Sequence, residues 1–85
     1  MDISIVVVSY NTAKLLPEMM DALQAAQGPL AIETIFVDNA SKDDSVAVIQ
    51  TRYPHCRLIT NAANVGFGRA NNQAVPFLEG RYVLL

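Results

Sequence analysis

Four short apolar runs, each but the last followed by a polar corner, constrain this 85-residue chain more than anything else in it. They are Ile3–Val8 (ISIVVV), Thr34–Val37 (TIFV), Cys56–Thr60 (CRLIT) and Arg81–Leu85 (RYVLL). Each is too short for a stable helix, and Ile3–Val8 is rich in β-branched residues. Continuous apolar runs of this length, without alternation, read as strands covered on both faces. Between the first two, Leu16, Met19, Met20, Leu23 and Ala26 recur at steps of three and four, which is one helical stripe. Pro17 is tolerated only in a first turn, so the regular helix is predicted from about Leu16, and Gly28-Pro29 ends it. A second stripe, Val46, Ile49 and Tyr53, follows Ser41, the predicted N-cap, with Asp43 and Asp44 favoured near a helix start. Residues 69–78 lean helical, Pro76 marks a kink or early end, and Gly80 stops the segment. The order β-α-β-α-β-α-β, at roughly 23–30 residues per unit, predicts right-handed crossovers on a parallel sheet. The fold class is therefore α/β, a Rossmann-like parallel sheet in three αβα layers.

Composition narrows the setting. Apolar residues are 52% and charged residues 16%, against about 25% charged in a complete soluble domain. The balance is that of a piece whose surface is partly covered by further chain. With the apolar run at Leu85, it leads to the expectation that residues 1–85 are the N-terminal portion of a larger domain. The net charge of −2, without clustered Lys and Arg, speaks against a nucleic-acid partner. One cysteine, Cys56, cannot close an internal disulfide, which fits a reducing compartment. Met1-Asp2-Ile3 lacks the basic region of a secretion signal, and no run is long enough to cross a membrane. The expected location is the cytoplasm, a peripheral seat at the inner face of the membrane being a variant of that reading. Asn39-Ala40-Ser41 matches a glycosylation sequon that such a location leaves unused.

In parallel α/β sheets ligands sit beyond the carboxyl ends of the strands, so the corners are the candidate site. Ser9-Tyr10-Asn11-Thr12 follows the first run and carries neither the dinucleotide fingerprint nor a P-loop. Tyr10 could stack on a planar base, and Ser9 or Asn11 could bond its edge or a ribose hydroxyl. A turn plus helix cap explains the same residues. Asp38-Asn39-Ala40-Ser41 follows the second run. A carboxylate there accepts only, so it would favour a base with an imide N–H, uracil or thymine; an Asx-turn is the plainer explanation. After the third run, Gly66 and Gly68 allow close backbone approach, and a helix starting near Gly68 would aim N–H groups at an anion. Arg69 adds a planar cation suited to phosphate. Asn71 and Asn72 are poor helix residues, so at least one is expected to be held for its side chain. His55, Cys56, Met19 and Met20 read as an ordinary loop histidine and core residues.

Taken together, Val8-Ser9-Tyr10-Asn11, Val37-Asp38-Asn39-Ala40-Ser41-Lys42-Asp43 and Asn64-Val65-Gly66-Phe67-Gly68-Arg69-Ala70-Asn71-Asn72 resemble the family-2 glycosyltransferases. These are inverting enzymes of the GT-A fold, and the third segment is most similar to their rhamnosyltransferase-like branch. The resemblance implies a strand order 3-2-1-4 and a nucleotide site. Ser9, Tyr10 and Asn11 would line it, with Tyr10 near the base. Asp38 would bind the pyrimidine of a UDP- or dTDP-sugar, and Asn39 and Ser41 would support that loop. Gly66, Arg69 and Asn72 would sit by the ribose and diphosphate. The acceptor would be a saccharide or lipid-linked saccharide. The family also implies Mg²⁺ or Mn²⁺ on an Asp-x-Asp, and a carboxylate base that deprotonates the acceptor hydroxyl. Neither motif matches any Asp of this sequence, so the expected ligands lie outside it, as does any catalytic residue, and the chain alone is expected to transfer no sugar. Two other readings compete. One is a non-catalytic Rossmann-like nucleotide-binding module. The other is a purely structural domain assembling through the exposed fourth strand.

Overall fold

A computed structural model describes residues 2–80 with side chains and the backbone of residues 82–84. Four strands form one parallel sheet in the order β3-β2-β1-β4: β1 (Ile3–Ser9), β2 (Ile32–Asp38), β3 (Arg57–Thr60) and β4 (Tyr82–Leu84). The ends of the fourth predicted run, Arg81 and Leu85, lie outside the described residues. Three helices connect the strands: α1 (Leu16–Gln27), α2 (Ser45–Arg52) and α3 (Phe67–Ala74). A 3₁₀ turn, Val75–Phe77, continues α3 through Pro76, so the proline ends the regular helix as expected.

Alternation along the strands builds two cores. Val6, Ile35 and Val37 meet Ala70 and Ala74 of α3 on one face. Phe36 meets Leu16 and Met20 of α1 and Ile49 of α2 on the other. The result is three layers, α3 on one side and α1 with α2 on the opposite side. The small residues Ala70 and Ala74 let α3 lie close to the sheet. Phe36 is fully buried and stacks on Tyr53, with centroids 6.2 Å apart.

Local signals account for most of the boundaries. Pro17 sits in the first turn of α1, and Gly28 ends it at φ 58°. The predicted stripe of α1 is graded: Leu16 and Met20 are buried, Met19 and Leu23 half-buried, and Ala26 exposed. One prediction needs correction. Ser41 does not cap α2, which begins four residues later with Asp44 at the N-cap and no side-chain cap bond. The Ser41 hydroxyl is held by Asp38 and Asn11 instead. The register places Ser9 beside Asp38 and Asp38 beside Thr60. The three first corners therefore leave the sheet side by side, at its carboxyl edge. Crossovers from β1 run one way to β2, while β4 lies on the other side of β1. That reversal is where parallel α/β sheets open a ligand crevice.

Candidate functional site

Hydrogen bonds tie the first two corners into one unit. The Asn11 N–H donates to Ser41 Oγ at 2.9 Å, and the Lys42 N–H donates back to Asn11 Oδ1 at 2.7 Å. The Thr12 N–H donates to Ser45 Oγ at 2.9 Å, and the Ala13 N–H to Asp43 Oδ2 at 3.1 Å. Asn11 makes its part of this pattern from the left-handed region, at φ 53°, which asparagine tolerates well. Ser9 is fully buried and its hydroxyl lies 2.7 Å from that of Thr12.

Asp38 organises the second corner from within. It is 1% exposed. Its Oδ2 accepts the Ser41 N–H at 2.9 Å, and its Oδ1 accepts the Ser41 hydroxyl at 2.6 Å. This closes an Asx-type turn over Asn39 and Ala40, and it holds Ala40 at φ 62°. A left-handed alanine costs about 1–2 kcal/mol, so the two Asp38 bonds outweigh a local penalty. Asp43 is exposed, and its carboxylate lies below the ordinary aspartate range. The Ser45 side-chain bond is the main cause; burial opposes it, and the Ser45 and Ala13 backbone N–H groups add to it.

The third corner joins through amides. Asn39 is buried; its Nδ2 donates to the Gly66 carbonyl at 3.2 Å. Its Oδ1 accepts from Asn61 Nδ2 at 2.9 Å and from the Val65 N–H at 3.4 Å. Asn61 and Gln73 exchange two amide bonds, each 2.9 Å. Gly66, at φ 86°, precedes the first turn of α3.

The nine candidate residues thus divide by access. Tyr10, Asn11, Gly66, Arg69 and Asn72 are exposed, while Ser9, Asp38 and Asn39 are buried and Ser41 half-buried. Arg69 makes no ion pair among the described residues. Of the asparagine pair in α3, Asn72 is exposed, whereas Asn71 is buried with its Oδ1 unpartnered. Sequence reasoning did not single out Thr12, Ser45, Asn61 or Gln73. The run Asn71-Asn72-Gln73, three primary amides inside a short helix, was the available signal for the last. Cys56 is half-buried, and burial raises its thiol above the usual range, in keeping with a packing role.

Of two cavities, the one of about 500 Å³ lies away from the three corners, and the one of about 300 Å³ reaches Thr60 at the carboxyl end of β3. The larger is lined by Ile32–Ile35 at the opposite end of β2, and the smaller by residues of α2 and β3. Neither includes a candidate residue. Among the described residues no three of His, Cys, Asp and Glu cluster. No helix described is long and apolar enough to cross a membrane.

The first three corners of this parallel α/β sheet are bonded together at its carboxyl edge, the end at which sheets of this kind take their ligands. The comparisons with known proteins agree in a narrower form. The model of glycosyl transferase family 2 matches residues 4–85, and the chain belongs to that family. It is 31% identical over 75 residues to an N-acetylglucosaminyl-diphospho-decaprenol L-rhamnosyltransferase of Mycobacterium tuberculosis, covering 87% of this chain and 24% of that protein. It is 33% identical over 89 residues to a poly(ribitol-phosphate) beta-glucosyltransferase of Bacillus spizizenii, covering 99% of this chain and 14% of that protein. Among solved structures, S. aureus TarS 1-349 in complex with UDP superposes with a TM-score of 0.83 at 25% identity, over 99% of this chain and 26% of that one. The mannosyltransferase PcManGT from Pyrobaculum calidifontis, in complex with GDP-Man and Mn2+, superposes with a TM-score of 0.82 at 25% identity, over 95% and 25%. The chain therefore spans about a quarter or less of the length of these relatives. The Rossmann-like GT-A fold and the family expected from the three motifs are both found.

Proposed function

We propose that this chain is the donor-nucleotide half of an inverting glycosyltransferase that takes a UDP- or dTDP-sugar. The observation that carries the reading is the bonding of three corners into one carboxyl-edge surface, which leaves Tyr10, Gly66, Arg69 and Asn72 exposed on it. Tyr10 stacks on the base. Asp38 has spare lone pairs beyond the two that Ser41 occupies, and these receive the imide N–H. Ser9, Asn11, Asn39 and Ser41 hold that surface in shape. Gly66 presents the start of α3 to the diphosphate, with Arg69 and Asn72 beside it. The acceptor is a saccharide or a lipid-linked saccharide, in keeping with the lipid-linked sugar in the name of the mycobacterial relative. A divalent cation supplies charge neutralisation at the departing diphosphate in the whole enzyme, on ligands beyond these residues. Residues 1–85 carry no step of the transfer itself, and the setting is cytoplasmic.

Calorimetry with UDP and dTDP tests the site. Wild type binds both, and Asp38→Ala weakens each by about 1–3 kcal/mol, the range for a hydrogen bond to a charged group. Ser41→Ala separates contact from support, because it frees the loop but keeps the carboxylate. It loses less affinity than Asp38→Ala. Equal affinity of wild type and Asp38→Ala for both nucleotides removes Asp38 from the site. No binding by wild type removes the reading itself.

A further inference from the structure

Gln73 lies on neither exposed corner, yet it ends a chain of amides that begins at the mouth of α3. The Gly66 carbonyl takes a hydrogen bond from the Ala70 N–H and another from Asn39 Nδ2. The Val65 N–H points at Asn39 Oδ1. One backbone acceptor and one backbone donor thus force the Asn39 amide into a single orientation. Its Oδ1 then requires a donor from Asn61, so Asn61 Nδ2 faces it. The second hydrogen of that NH₂ goes to Gln73 Oε1, and Asn61 Oδ1 receives Gln73 Nε2. Turning any one of the three amides sets donor against donor or acceptor against acceptor at both of its ends. The polarity is therefore transmitted without a break from residues 65 and 66 to residue 73.

We propose that Gln73, acting through Asn61 and Asn39, is a positioning residue that sets the Val65-Gly66 backbone at the start of α3 for the diphosphate part of the donor. The inference rests on the proposed nucleotide site and adds a residue to it. Gln73 touches no ligand. It fixes the loop beneath one, on the helix that also carries Arg69 and Asn72. In the second corner its reach ends at the Asn39 side chain. The Asp38–Ser41 turn keeps its own two bonds when the amide chain is cut. Cutting the chain therefore affects phosphate recognition and spares base recognition.

The test compares UDP with uridine, by calorimetry or NMR titration, on wild type, Gln73→Leu and Gln73→Glu. Gln73→Glu keeps the shape but sets a carboxylate oxygen against Asn61 Oδ1. Both variants are expected to raise the Kd for UDP about tenfold, the size of one or two lost neutral hydrogen bonds. The Kd for uridine should stay within about twofold. Amide exchange at Val65, whose N–H ends on Asn39 Oδ1, and at Ala70, whose N–H shares the Gly66 carbonyl with Asn39, should speed up without nucleotide in both variants while exchange in β1 and β2 does not. Unchanged UDP affinity with unchanged exchange at Val65 and Ala70 overturns the proposal. So does an equal loss for UDP and uridine, which marks general loosening. If wild type binds no UDP, the nucleotide reading fails, and the exchange data still decide whether Gln73 holds the loop.

Discussion

Asp43 illustrates how single side chains stitch the candidate site together. One oxygen accepts from the Ser45 N–H and hydroxyl, and the other from the Ala13 N–H. Its carboxylate is held below the ordinary value of 3.8, chiefly by the Ser45 hydroxyl. A group with a lowered folded pKa stabilises the fold above its unfolded pKa and loses that contribution as pH falls through the folded value. The loss therefore begins as pH drops past 3.8. Asp43 is exposed, so solvent screening keeps the effect small. Thermal unfolding followed across acidic pH should show a falling midpoint, and Asp43→Asn should flatten the lower part of that slope. A mutant curve parallel to wild type down to the acid limit would rule out Asp43 as a contributor. Ala40 is the counterpart on the cost side, a left-handed residue held in place because Asp38 bonds across it to Ser41.

Among the elements, the entry into β4 depends on a contact that no local pattern reveals. Gly80 donates its N–H to Ser4 Oγ at 2.7 Å. A Cβ on Gly80 would overlap the Ser4 backbone nitrogen and lie 2.6 Å from Ser4 Oγ. Ser4 is fully buried in β1, so neither side can yield cheaply. Gly80→Ala should lower stability by about 1–3 kcal/mol, as overpacking does, and chemical denaturation would measure it; a neutral result would mean that β4 enters by another path. From sequence, Gly80 reads only as a helix stop, because its partner lies 76 residues away. The same distinction separates what was legible elsewhere. Pro17 and Gly28 bound α1 through sterics within a few residues, and α1 begins and ends where they indicate. Ser41 looks like a cap by the same local rules, yet its hydroxyl is claimed by Asp38 and by Asn11, 30 residues earlier. Tyr10 and Arg69, identified by chemistry, are exposed on their corners. Asn61 and Gln73 escaped notice because their importance is pairwise and appears only when α3 lies over the sheet.

At the scale of the whole molecule, the sheet has two edges, β3 on one flank and β4 on the other. Among the described residues β2 and β1 pair along their full lengths, and β4 pairs with Ile3–Ile5 of β1. The upper half of β1, Val6–Ser9, has no strand beside it on that flank among the described residues. β4 is itself the last strand in the order, so its outer groups are unpaired there too. The same chain exposes Phe67 at 66% and Val75 at 57%, on α3 and the 3₁₀ turn that leads toward β4. An uncovered parallel edge favours strand addition from another molecule, and exposed apolar side chains elsewhere on the chain add to the tendency to associate. In a longer polypeptide of the relatives' length, further chain can occupy that flank, and association of this kind would be suppressed. Sedimentation velocity distinguishes the cases. The 85-residue chain should sediment faster as its concentration rises, and a charged substitution such as Val75→Lys should reverse the trend without altering UDP binding, since Val75 is not among the residues proposed for the nucleotide. A single monomer peak across the accessible concentration range would show that the β4 flank is not sticky, and the expectation of self-association through the fourth strand would then be abandoned.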